Sequence, residues 1–156
     1  METIINKSIM NTQMQNMIMQ SKKASWLQTL RMKASVDNEV SVFFRKTSES
    51  GQYVVHDGYS QYTKKFPDSI GYEHFCNELC FRPVEEFGSF GNMVEYILNS
   101  ITQKLQKFKG RQFCIYLSLD DDDDSITVHF HTYTNELIFS SIEGFFQPVL
   151  YIIIQT

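Results

Sequence analysis

The chain has 156 residues, with 14 Lys or Arg against 18 Asp or Glu and a formal net charge of −4. Hydrophobic residues make up 42 % and charged residues 21 %, ordinary globular values that exclude a disordered chain, a collagen-like repeat and a coiled coil. The length suits one domain spanning 1–156, and the longest uninterrupted apolar run, Val149 to Ile154, falls far short of the ~20 residues that cross a bilayer.

Residues 1–20 are rich in Met, Asn and Gln and read as the most loosely ordered piece. Thr3-Ile4-Ile5 can open a strand, whereas Met14, Met17 and Ile18 have helical spacing, so periodicity leaves both open. No apolar run follows a basic start, which argues against a secretory signal, and a single Arg before residue 37 argues against a transit peptide. Residues 22–34 read as a helix on the stripe Trp26, Leu27 and Leu30. Asp37-Asn38 reads as a turn. Residues 39–46 then read as a strand with Val40, Val42 and Phe44 on one face, Thr47–Gly51 as a loop, and 52–56 as the return strand, broken by Asp57-Gly58.

Pro67-Asp68-Ser69 starts a helix whose stripe Tyr72, Phe75, Cys76, Leu79 and Cys80 runs to a stop at Pro83. Ser89 caps a longer helix over residues 90–108, with the stripe Phe90, Met93, Val94, Ile97, Leu98, Ile101, Leu105 and Phe108. Gly110 can end it in the left-handed region. The period then changes to two. Phe113, Ile115, Leu117 and Leu119 share one face, Asp120 to Asp124 turn the chain, and Ile126, Val128 and Phe130 continue the apolar face. Glu136 to Ser141 reads as a further strand, and Val149 to Ile154, apolar on both faces, as a central, doubly covered one. Together these predict a single α+β domain, a mostly antiparallel sheet of about five strands packed by two or three helices.

Charge is uneven along the chain. Residues 1–36 hold five bases and one acid, residues 37–110 eight and ten, and residues 111–156 one and seven. The acidic pole is the carboxy-terminal third. Its centre is the run Asp120, Asp121, Asp122, Asp123 and Asp124. Adjacent carboxylates repel, so they must be solvated or neutralised by a cation or a basic partner. A calcium loop spaces its ligands at alternate positions around a glycine, and this run has neither feature. Glu136 and Glu143 are the other acids available to a cationic partner on that side.

Other chemistry is thinly supported. Cys76, Cys80 and Cys114 are odd in number and have no framework spacing, which fits a reducing compartment. Cys76 and Cys80 would share a buried helix face, and no second pair completes a zinc site. His129 and His131 lie on one strand face, but a metal needs a third ligand and none is marked. His56, Asp57 and His131 could form an acid–base group, although no spacing requires them to meet. A Cys–His pair from Cys76 or Cys114 has the same weakness. Gly88 to Gly91 forms only a G-x-x-G at a helix start, and there is no P-loop, G-x-S-x-G or dinucleotide fingerprint. Lys22, Lys23, Arg31 and Lys33 around Trp26 make a small basic patch, but overall acidity opposes nucleic-acid binding.

In layout the chain resembles the immunity proteins of contact-dependent growth inhibition: one acidic, cysteine-poor α+β domain with an amphipathic central helix, Ser89–Phe108, leading into late strands. The resemblance implies a cytoplasmic antitoxin that neutralises a cognate toxin domain by one-to-one binding, and it carries over no functional residue. The residues themselves point to a small acidic binding protein, not an enzyme. Its basic partner, in the image of a toxin nuclease, would meet Asp120 to Asp124 with Glu136 and Glu143. No cofactor, membrane or nucleic acid is implied. The alternatives are a metal-assisted hydrolase built on His129 and His131, and a homodimeric adaptor joined along an edge strand.

Overall fold

A computed structural model describes residues 4–49, 69–81, 89–120, 122–134, 141–145 and 147–156. In chain order these form β1 (Ile4–Met10), α1 (Thr12–Gln20), α2 (Trp26–Glu49), α3 (Ser69–Cys76), β2 (Glu78–Phe81), α4 (Phe90–Leu105), β3 (Gln112–Leu119), β4 (Ile126–Thr132) and β5 (Val149–Gln155). The five strands make one sheet in the order β1-β5-β3-β4-β2, with every neighbouring pair antiparallel. The fold is a single α+β domain, as the pattern of elements predicts.

One face of the sheet holds the main core. Phe113, Ile115, Leu117, Val128, Phe130, Leu150 and Ile152 point from the strands toward Met14 of α1, Met32, Val36, Val40 and Phe44 of α2, and Met93, Ile97, Ile101 and Leu105 of α4. The period-two reading of β3 and β4 and the helical stripe of α4 are thus realised in detail. β5 is buried along its length between β1 and β3, as its two-sided apolar run requires. The opposite face carries a smaller cluster of Cys114, Tyr116, Ile142, Val149, Tyr151 and Ile153.

Residues 4–20 satisfy both of the competing patterns in succession. β1 pairs with β5, and α1 follows with Asn11 as its cap, the Asn11 side chain accepting from Met14 N at 2.9 Å. A register shift between Ile5 and Lys7 bends this edge strand.

Two predicted elements are corrected. Residues 39–46 are not a strand; α2 runs unbroken from Trp26 to Glu49. Val40 and Phe44 fit a period of two with Val42, yet they also extend the line Met32, Val36 at intervals of four, and that line is the buried one. Neither Gly nor Pro interrupts the segment, so Asp37-Asn38 sits in the helix, where Asp37 Oδ1 accepts the Ser100 hydroxyl of α4 at 3.1 Å. The return strand expected at 52–56 lies outside the described residues.

The second correction concerns α3, which ends at Cys76 and does not continue through Cys80. The backbone of Asn77 accepts from Phe130 N at 3.3 Å, and its side-chain amide donates to Phe130 O at 3.2 Å. That pulls the chain onto the open edge of β4 as β2, where Leu79 and Phe81 alternate inward and Cys80 faces out. Cys76 and Cys80 therefore share no helix face, and Cys80 is exposed.

Smaller differences follow local geometry. Ser89 precedes α4, but its hydroxyl donates to Asn92 Oδ1 and forms no backbone cap. α4 ends at Leu105, and Gly110 beyond it adopts φ +72°, the left-handed region that favours glycine. Gly91 has a packing role: a Cβ there would stand 2.7 Å from Ser21 Oγ. The strand expected over Glu136–Ser141 lies outside the described residues save for Ser141, which is exposed coil.

Candidate functional site

The acidic run forms the tip of the β3–β4 hairpin. Leu119 and Ile126 are its last paired residues. Beyond them Asp120 N donates to Ser125 O at 2.8 Å, and Asp124 N donates to Asp120 O at 3.1 Å. Two carboxylates brace the turn from within, Asp120 Oδ1 accepting from Asp122 N and Asp123 Oδ1 from Ser125 N, both at 2.9 Å. Asp124 has φ +57°, which an aspartate tolerates better than a branched side chain does. Hydrogen bonds from the Ser125 hydroxyl, and then from its backbone, hold the Asp123 carboxyl below the usual range.

Asp120, Asp122, Asp123 and Asp124 are all exposed, and among the described residues none forms an ion pair. The tip thus presents a dense negative charge on a turn fixed by its own backbone. Asp121 and Glu136 lie outside the described residues. Glu143 sits in the segment before β5, exposed, where its Oε2 accepts the Thr12 hydroxyl at 3.2 Å beside the start of α1. That segment is tied down by Asn11, whose amide donates to Ile142 O and Gln147 O and whose Oδ1 accepts from Val149 N at 3.0 Å.

A second group lies on the sheet face away from the main core. His74 of α3 stacks on His129 of β4, with ring centroids 4.3 Å apart and 11° between planes, and meets the Tyr116 ring edge-on. His129 Nδ1 lies 2.8 Å from the His74 carbonyl. A carbonyl only accepts, so the proton is on Nδ1, and Nε2 faces Glu78 Oε2 at 4.0 Å. His131 is fully buried, its Nδ1 2.7 Å from the Thr132 carbonyl. α3 is anchored here by the buried Glu73, whose carboxylate accepts from Thr132 N at 2.6 Å and from its hydroxyl at 3.1 Å. A cleft of about 160 Å³ opens beside these rings, floored by Tyr116, Ser118 and Val149 and walled by Phe145 and Gln147. Sequence reasoning paired His129 with His131 but missed His74, because nothing in its spacing links α3 to β4.

A family model described as the Uncharacterized protein PM0498 family matches residues 4–156, nearly the whole chain. The chain belongs to that family. No curated protein and no solved structure matches it. Within the PM0498 family chain, the chemistry at the histidine face is limited by what each nitrogen already does. The Nδ1 atoms of His129 and His131 face carbonyls, and His74 is stacked flat on its neighbour. Among the described residues no group of three or more His, Cys, Asp or Glu is placed to hold a metal ion. Cys114 is the register partner of His131, which brings a thiol beside an imidazole, but burial pushes that thiol up to about 12 and leaves it protonated. His56 and Asp57 lie outside the described residues. No described helix is long and apolar enough to cross a membrane.

Proposed function

We propose that this protein is a small acidic binding protein that neutralises a cognate basic toxin domain one to one, as an immunity protein does, with the β3–β4 hairpin as its point of contact. One observation carries the reading. The described carboxylates of the tip are exposed, close together and without ion-pair partners among the described residues, on a turn whose hydrogen bonds fix their positions before any partner arrives. Preset charge of one sign steers a complementary surface and speeds encounter. A nuclease is basic where it holds phosphate, so a row of carboxylates suits such a partner. Three free cysteines fit a reducing, cytoplasmic setting.

The test has two parts. Co-expression with a toxin domain encoded beside this chain should restore growth, and loss of protection by the wild-type chain rejects the immunity reading. Changing Asp120 to Asp124 together to Asn should then slow association with that domain, most at low ionic strength. An unaltered association rate at low salt takes the hairpin out of the interface.

A further inference from the structure

We propose that the start of α2, where Trp26, Leu27 and Leu30 stand among Lys22, Lys23, Arg31 and Lys33, docks on an anionic lipid surface. Two independent features coincide there. The first is exposed apolar area. Of the seven large apolar side chains exposed among the described residues, three, Trp26, Leu27 and Leu30, stand together on the first turns of α2. Trp26 leaves 77 % of its surface open, Leu27 49 % and Leu30 47 %. Single apolar residues scattered over a surface need no explanation, but their concentration marks a contact.

The second feature is charge. No Asp or Glu occurs from Thr3 to Val36, a stretch that holds Lys7, Lys22, Lys23, Arg31 and Lys33. The last four are exposed around the start of α2. Trp26, Leu27 and Leu30 lie within one turn of each other on that helix, while its buried line, Met32, Val36, Val40 and Phe44, leaves by another side. The result is an apolar ridge flanked by cations.

The occupant has to satisfy both features. A second copy docking symmetrically would bring like charges together. A nucleic acid would satisfy the cations but gain nothing from Leu27 and Leu30. An acidic protein would match both, yet protein interfaces are depleted in Lys, and three of the four cations around Trp26 are Lys. An anionic bilayer accepts all of it. Lys reaches the headgroups with its stem along apolar surface, Trp seats at the boundary, and leucine enters the acyl region. Docking of this kind lies along the surface and needs no spanning helix. The inference does not depend on the hairpin.

Trp26 is the only tryptophan, so its fluorescence reports directly on the ridge. The full chain is mixed at low salt with vesicles of phosphatidylcholine alone or of an equimolar mixture with phosphatidylglycerol. Trp26 emission should shift to the blue, and protein should sediment, with the mixed vesicles only. Added salt should reverse both effects. Lys22→Gln with Lys23→Gln should weaken partitioning roughly fivefold per lysine. Leu27→Ser with Leu30→Ser should weaken it too, with unchanged circular dichroism because both side chains are exposed. No shift on mixed vesicles, equal binding to pure phosphatidylcholine, or a wild-type dimer in sedimentation that itself buries Trp26 would each overturn the proposal. Full partitioning by the serine variant would do the same.

Discussion

His74 and His129 stack face to face at 4.3 Å, and the backbone carbonyl of the first accepts the ring proton of the second. A ring in that position resists protonation. Burial is the main cause, and the neighbouring charges of His129 and then His131 add to it, holding His74 down to about 3 from an ordinary 6.5. Between those values the unfolded chain binds a proton that the native state does not. Stability is therefore full above the unfolded value and falls as pH drops from 6.5 toward 3. Because the ring keeps some contact with solvent, the loss should be modest, about 1–2 kcal/mol at about pH 4.5 relative to neutrality. Urea unfolding at the two pH values measures it. His74→Phe keeps the stack and should flatten the dependence; an equally steep dependence in that variant would assign the titration elsewhere.

The hairpin separates charge from conformation at Asp124. Its φ of +57° is open to Asn or Gly but strained for a β-branched side chain. Asp124→Asn and Asp124→Gly should leave stability within about 0.5 kcal/mol of wild type, whereas Asp124→Val should cost about 1–2 kcal/mol. Thermal or urea unfolding of the three variants tests this. Equal stability of the Val and Asn variants would show that the turn relaxes freely, and the argument for preset carboxylates would fail with it.

Asn11 concentrates four interactions in one buried side chain. It receives hydrogen bonds from Met14 N and Val149 N and gives them to Ile142 O and Gln147 O, so it joins α1, the segment bearing Glu143 and the start of β5. Asn11→Ala should strand several buried backbone groups at once and cost about 2–4 kcal/mol in urea unfolding. Asn11→Asp preserves the two acceptor contacts but not the two donor contacts. It should be intermediate. A cost under about 1 kcal/mol for the alanine variant would mean that water replaces the side chain.

How far the fold was legible depended on whether one period stood alone. β3, β4 and β5 were readable because alternation or a two-sided apolar run has one meaning beside a turn such as Asp120–Asp124. α4 was readable because seven apolar residues, Phe90 to Leu105, repeat at helical spacing. α2 was misread because Val40, Val42 and Phe44 satisfy two periods and only tertiary packing chooses between them. The end of α3 was hidden for a different reason: what stops it is Asn77 bonding to Phe130, and that contact lies across the fold. The histidine face was half legible. His129 and His131 follow from strand alternation, but His74 joins them only through the docking of α3 held by Glu73. The exposed ridge at Trp26 was visible in sequence as a stripe, and a stripe alone does not tell a buried face from an open one.

The reading of α2 as one helix can be tested where the two interpretations predict opposite signs. Asn38 is exposed, and in the alternative it occupies a turn before a strand. In a turn, Asn stabilises by bonding to nearby backbone, and Ala would weaken it. In a helix interior the same tendency competes with the helix, and Ala is the better residue by roughly 0.5 kcal/mol. Asn38→Ala should therefore raise the unfolding midpoint slightly. Asn38→Gly should lower stability by about 0.5 kcal/mol or less relative to wild type, since Gly ranks below Asn in a helix. The neighbouring Asp37 is a poorer probe, because its bond to Ser100 adds a contact between α2 and α4 that either variant would remove. A stabilised alanine variant together with a weakened glycine variant supports the continuous helix. The reverse order would restore the break at residues 37–38, and with it the strand over 39–46.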